Sequence, residues 1–390
     1  MVECTLREAI QEANFVPGAD VIAFNIFEAV GPALKTIRPA SALPRIAETV
    51  TIDGYTQPGA RPNTAAVGTN AKLLIELDGS NAGTNTTGLS VGAANSVVRG
   101  LVVNRFQSLS GGVSHGIAVV GPDATGVRIT GNFLGTDAGG TLARGNHRGL
   151  FVAAQNTIVG GILPAARNLI AGNRTTGIAL GGTIADFADG SRVQGNLIGT
   201  TRTGAAPLGN GGAGVATDVV STLIGGNSAA AANVVAFNGG VGVLVFGGTG
   251  NRILCNSIFG NGRLGIDLVG ASANDLGDGD AGPNTLQNKP VLHSATNFGA
   301  GISVRGELNS TPNQSYVLRF FANPSGEHEG QRFLGQRTVT TDAQGNAVFD
   351  FAPEQRVAVG QNVTATATNG GGNTSEFSAP RLVEPPVVGP

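Results

Sequence analysis

The segment GNFLGTDAGGTLARGN, from Gly131 to Asn146, returns as GNLIGTTRTGAAPLGN from Gly195 to Asn210. An offset of about 65 residues likewise carries IVGG and RNLIAGN (Ile158 to Asn173) onto LIGG and ANVVAFN (Leu223 to Asn238). Self-similarity at a fixed period marks a stacked repeat. A shorter period lies inside it. Short strands of the type Gly, apolar, any, apolar begin at Gly88, Gly116, Gly149, Gly177, Gly214, Gly242 and Gly265, at intervals of 28, 33, 28, 37, 28 and 23 residues. Each interval holds two further strands, one like VRITG or TLIGG and one like NFLGT or NSIFG, so three strands make a turn and two turns make the duplicated unit. The expected fold class is all-β: a right-handed parallel β-helix with three strands per turn.

Alternation within each strand places Ile117 and Val119, or Val243 and Val245, on one face, where successive turns stack them into a common core. No single turn buries its own apolar face, so stability is shared between neighbours. Asn132, Asn168, Asn196, Asn233 and Asn256 begin equivalent strands, and their amides are expected to bond up and down a corner ladder. TVTIDGY (Thr49 to Tyr55) and KLLIELDG (Lys72 to Gly79) are 25 residues apart at their Asp-Gly corners and extend the coil toward the N-terminus.

Composition agrees. Sixty-two Gly, no Trp and 13% charged residues do not suit a helix bundle, while 41% hydrophobic residues are too many for a disordered chain. A net charge of −2 with scattered arginines gives no field for nucleic acid. No run of eighteen apolar residues spans a membrane and no signal-peptide pattern opens the chain, so any export signal is expected to have been removed. Cys4 and Cys255 fall about eight turns, or roughly 38 Å, apart at one strand spacing per turn, too far for a disulfide.

In CTLREAIQEAN, residues Leu6, Ile10 and Ala13 recur at helical spacing behind Thr5 as N-cap and Glu8 three residues on, which predicts a helix plugging the open end of the coil. After Gly265 the pattern changes to alternating strands such as YVLRFFAN, AVFDFAP and NVTATATN, which predict an antiparallel, Ig-like β-sandwich. The expected domains are a cap at 1–46, the coil at 47–287, the sandwich at 288–380 and a linker tail at 381–390.

CTLREAIQEAN, IDGYTQPGA (Ile52 to Ala60), GNLIGT and NDLGDGDAGPNTLQN (Asn274 to Asn288) resemble segments of the bacterial extracellular proteins named for a CSLREA-type N-terminal motif. The resemblance covers most of the chain and implies a secreted or surface-attached module with right-handed parallel β-helix repeats. It implies no single reaction. It also implies an upstream Cys as partner for Cys4, which this chain does not contain.

The outward row of the Gly-apolar-any-apolar strands reads Ser90, Ala118, Phe151, Ala179, Ala216, Leu244 and Asp267, a face that offers little acid, base or metal chemistry. The first long loop is richer. Its neighbourhood holds His115, Asp137, His147 and Arg148 as catalytic candidates, with Arg105, Arg144 and Phe151 as substrate-binding candidates; the equivalent loop, with Arg202 and Asn210, lacks the His and Asp. A base beside a uronate and a cation for the resulting anion are what a polysaccharide lyase needs. Paired carboxylates for glycoside hydrolysis are missing. Asp275, Asp278 and Asp280 offer hard oxygen ligands for Ca²⁺, or form a solvated interdomain turn. The leading expectation is a secreted or cell-surface module that binds extracellular polysaccharide or a neighbouring surface; the alternative is a polysaccharide-degrading enzyme, a lyase before a hydrolase, with its groove at the long-loop edge.

Overall fold

The structure is a computed structural model that describes residues 4–27, 33–108, 112–181, 188–271, 273–299 and 301–386. The chain is mostly β, with three parallel sheets of seven or eight strands stacked in the manner of a β-helix, one mixed sheet and one α-helix among the described residues. The helix, Leu6–Phe15, starts as its sequence dictates. Thr5 Oγ1 accepts from the Glu8 amide at 3.2 Å and the Glu8 carboxylate accepts from the Thr5 amide at 2.8 Å, while Leu6, Ile10 and Ala13 face the coil.

Sheet A runs from Asp20–Ala23 to Arg252–Leu254, sheet B from Lys35–Ile37 to Ser257–Phe259, and sheet C from Leu89–Val91 to Ile266–Leu268. Register holds without slip through sheet C, where Leu89, Ile117, Leu150, Ile178, Val215, Val243 and Ile266 lie on one another, all buried. A one-residue slip would turn this row outward and bring Ala118, Phe151 and Leu244 in, so the packing itself fixes the register. TVTIDGY and KLLIELDG prove to be in different sheets, A and B. Their aspartates do the same local work, Asp53 and Asp78 each accepting from the amide two residues on and starting a short turn.

Strands of two to six residues leave many backbone groups at the corners, and those groups must be satisfied. The expected ladder is present: from Asn132 through Asn168, Asn196 and Asn233 to Asn256, each Nδ2 donates to the next Oδ1 at 2.9–3.4 Å. A second ladder, not read from the sequence, joins Asn146, Asn173, Asn210, Asn238 and Asn261 at the corner before sheet C, at 2.8–3.2 Å. All its amide-to-amide bonds donate toward the C-terminal end. There the amide and Nδ2 of Asn261 donate to the two carboxylate oxygens of Glu329, at 3.1 and 2.9 Å. At the third corner Thr222, Asn251 and Asn284 bond in series, and Asn284 Nδ2 donates to the Thr374 carbonyl.

Glu329 and Thr374 belong to the C-terminal region, whose seven-stranded mixed sheet buries Tyr316, Phe320, Phe349 and Phe351. This region closes the last turn of all three coil sheets: Gly330 exchanges two bonds with Ile258, Thr374 Oγ1 accepts from the Ile253 amide, and Glu376 accepts from the Leu268 amide. Arg381–Glu384, expected to begin a linker, form a strand instead, parallel to Val291–Asn297 and antiparallel to Asn362–Asn369. Its Val383 is buried, and that apolar contact outweighs the proline-rich composition that follows. Residues 387–390 of that tail, like 1–3 and 28–32 of the expected cap, lie outside the described residues. Cys4 is exposed, Cys255 is buried, and both are free thiols.

The outer face of sheet B is not open. After Asp53 the chain makes a long excursion before it returns at Ile75, and Ala71 and Leu73 from it pack on Val102, Phe133, Leu169, Ala171 and Leu197 to form a second apolar core outside the coil. Arg167 donates to the carbonyls of Ala65, Ala66 and Gly68, and Arg202 to those of Thr69 and Ala71, which pins the excursion across several turns.

Burial pushes the Glu329 carboxyl up to about 7, against the two bonds from Asn261 that favour its ionised form. The folded state therefore keeps a proton that the unfolded chain releases near the ordinary value of 4.5, so ionisation costs stability as pH rises from about 4.5 to 7. Glu329→Gln, neutral throughout, is predicted to gain on wild type in melting temperature between pH 5 and pH 8; parallel pH profiles for the two proteins would contradict this account of the cap.

Candidate functional site

The second asparagine ladder positions the residues of most chemical interest. Each of its asparagines turns the chain into sheet C, and the residue that follows is His147, Arg174, Gly211, Gly239 or Gly262 in successive turns. Later turns keep glycine because there is no room for more: a Cβ at Gly211 would lie 2.2 Å from the Arg174 carbonyl oxygen. Only the two earlier turns carry basic side chains at this corner. Their backbones are fixed, with the His147 amide donating to Phe106 O at 2.7 Å and its carbonyl accepting from both the amide and the hydroxyl of Thr175.

Arg148 lies opposite His115 in the register of sheet C, and the His115 ring stacks on Phe151 with centroids 4.8 Å apart and planes 15° from parallel. His115 is 8% exposed, and its Nδ1 is buried with no hydrogen-bond partner. Burial, then the charges of Arg148 and His147, lower its pKa to about 3, so the ring is neutral at any ordinary pH. His147 is lowered by burial and by Arg148 and Arg174, and the half-buried Arg148 guanidinium is lowered by burial alone. Among the described residues the Arg148 side chain has no acceptor, and no carboxylate acts on either histidine. Four donor-bearing side chains thus converge beside an aromatic platform with no anion among them. Arg174 was not singled out from the sequence; an arginine directly after a corner asparagine was its available signal.

The other expected residues stand apart from this cluster. Asp137 caps its own loop, Oδ1 accepting from the amides of Thr141 and Leu142 at 2.9 Å each. Arg105 is neutralised, 2.9 Å from Asp78 and 3.9 Å from Glu76, in a network that also engages Arg38, Thr36 and Asn104. Arg144 meets Arg105 only through the backbone, its carbonyl accepting from the Arg105 amide. The His and Arg side chains come together, then, without the carboxylate that would complete a catalytic set.

Asp275, Asp278 and Asp280 do come together, with ligand-capable oxygens all within 4.8 Å of one another. Asp278 accepts from the Asn288 amide at 2.9 Å, from Gln287 at 2.6 Å and from the Ser310 hydroxyl, while Asp275 Oδ1 and Asp280 Oδ1 have no partner. Burial first, and the neighbouring carboxylates after it, raise the pKa values of Asp278 and Asp280. A cavity of about 460 Å³ lies elsewhere, at the joint between coil and C-terminal region; the Lys289–Glu376 pair on its wall is closed at 2.9 Å.

No described helix is long and apolar enough to cross a membrane. Compared with known proteins, the chain matches no family model and no curated protein.

The depressed pKa of His115 has a consequence for stability. The unfolded chain takes up a proton near 6.5 that the folded state refuses until about 3, so stability present above 6.5 is lost as pH falls through this window. His115→Phe keeps the stack on Phe151 and removes the orphaned nitrogen. It is predicted to match wild type at pH 7.5 and to exceed it at pH 4.5 in urea denaturation; an equal loss at both pH values would show that the imidazole makes bonds this geometry does not contain.

Proposed function

We propose that this chain is a secreted or cell-surface module that binds extracellular polysaccharide on the outer face of sheet C, and that it is related to the CSLREA-motif proteins. In this reading the three parallel sheets form a right-handed coil of three strands per turn, and the C-terminal region is an Ig-like sandwich that ends it. One observation carries the proposal: a half-buried Arg148 without an acceptor, set beside the His115–Phe151 stack on a flat face of small residues. An aromatic platform takes the apolar face of a sugar ring, and a desolvated guanidinium takes a carboxylate or sulfate on it. Sheet B is covered by the chain's own excursion, which speaks against an open substrate groove on that sheet and so against the enzyme reading. A histidine with a pKa of about 3 is also a poor base for proton abstraction.

Ca²⁺ at Asp275, Asp278 and Asp280 belongs to the same proposal. The two partnerless oxygens and three hard carboxylates suit it, and the ion would brace the turn between coil and C-terminal region.

The test is binding of the full chain to immobilised uronate-containing and neutral polysaccharides, with and without Ca²⁺, while unsaturated-product absorbance is followed. Arg148→Gln is expected to weaken binding to the uronate polymers about tenfold or more, the scale of a charged hydrogen bond, and Phe151→Ala to weaken binding to both kinds. Retention of full affinity by both variants, or accumulation of unsaturated product, would overturn the binding reading.

A further inference from the structure

The two-turn duplication leaves a mark on sheet A that the sheet C site does not use. Along its outer face the register runs Arg128, Ile158, Arg192, Leu223, Arg252, one residue per turn, so that arginine and aliphatic side chains alternate. The three arginines are exposed; Ile158 and Leu223 are half-buried between them. Among the described residues none of the three guanidinium groups has an ion pair or hydrogen bond, although Arg252 rests against the backbone at Gly372. No carboxylate projects from these five strands. Neighbouring strands are about 4.8 Å apart, so the arginines repeat at about 9.6 Å over a row about 19 Å long.

We propose that this face of sheet A is a second binding surface, for an extended acidic polysaccharide that carries one anionic group per disaccharide. The spacing selects the partner. Two sugars of an extended chain span nearly the distance between alternate strands, so an anion on every second sugar meets an arginine on every second turn. The sugars between lie over Ile158 and Leu223, whose aliphatic surface suits the apolar face of a ring. A polymer charged on every sugar would set half its anions over these aliphatic residues and desolvate them without compensation. Because the rungs are set by backbone hydrogen bonds, the spacing of the row is fixed, and the ordering entropy lost when a matching chain lies along it is that of the arginine side chains and of the chain itself. The inference shares with the sheet C reading only the class of ligand, and it stands on other residues.

The experiment measures affinity of the full chain for hyaluronan, with one carboxylate per disaccharide, for polygalacturonate, with one per sugar, and for duplex DNA, at several salt concentrations. In an Arg148→Gln background, which removes the sheet C arginine, Arg128→Gln/Arg192→Gln is expected to weaken the remaining hyaluronan binding at least tenfold. The converse variant, Ile158→Arg/Leu223→Arg, gives every turn a cation and is expected to move preference toward polygalacturonate. Melting temperature and circular dichroism of each variant separate loss of binding from loss of fold. The proposal is overturned by absence of hyaluronan binding, by an unchanged affinity in the Arg128/Arg192 variant, by tighter binding to DNA than to hyaluronan, or by equal gains for both polysaccharides in the Ile158/Leu223 variant, which would reduce the row to unspecific charge.

Discussion

Everything in this molecule depends on a side-chain amide that donates and accepts at once. A coil built from strands of two to six residues turns so often that a large share of its backbone sits in corners, out of reach of ordinary sheet bonds. Asparagine meets this need because its Oδ1 accepts from the turn before while its Nδ2 donates to the asparagine of the turn after, and, as at Asn168, with its other hydrogen to a carbonyl of the turn before, and the pattern repeats without limit. Such a row has direction. Every amide in the second ladder donates toward the C-terminal end, so the last one needs an acceptor that is not another asparagine, and the Glu329 carboxylate is that acceptor. The C-terminal region thus finishes the coil rather than trailing from it, and it covers strand edges and apolar rungs that would otherwise invite other chains.

The same ladder links architecture to chemistry. His147 and Arg174 stand at one corner because the residue after a ladder asparagine points out of the coil, and only two turns have room for more than glycine there. Fixed backbones hold these basic side chains together, and burial lowers the pKa values of His115, His147 and Arg148. On sheet A the duplication acts at longer range, setting an arginine on every second rung. With sheet B covered, the two open faces each present cations over apolar ground, in different arrangements.

Much of the fold was legible because periodicity survives in a single sequence. The sheet C strands, the capping helix with Thr5 and Glu8, and the ladder through Asn196 all follow from spacing. The excursion after Asp53 was not legible, since it occurs once and a unique segment has no partner in the sequence to reveal where it packs. The second ladder was missed although Asn146 and Asn210 end the quoted repeat, because those asparagines close a loop rather than open a strand in the linear reading. Asp137 drew attention as a carboxylate near histidines, but an aspartate in a tight loop satisfies amides first. The strand at Arg381–Glu384 was hidden by the prolines that follow it.

Native-state hydrogen exchange tests the central claim most directly. If the ladders hold the coil, the backbone amides of Asn168, Asn196, Asn173 and Asn210 exchange as slowly as those of Ile178 and Val215 in the core strands, and all open together. Fast exchange at the asparagine amides, with the core strands still protected, would contradict the account and leave apolar stacking alone as what holds the turns in place.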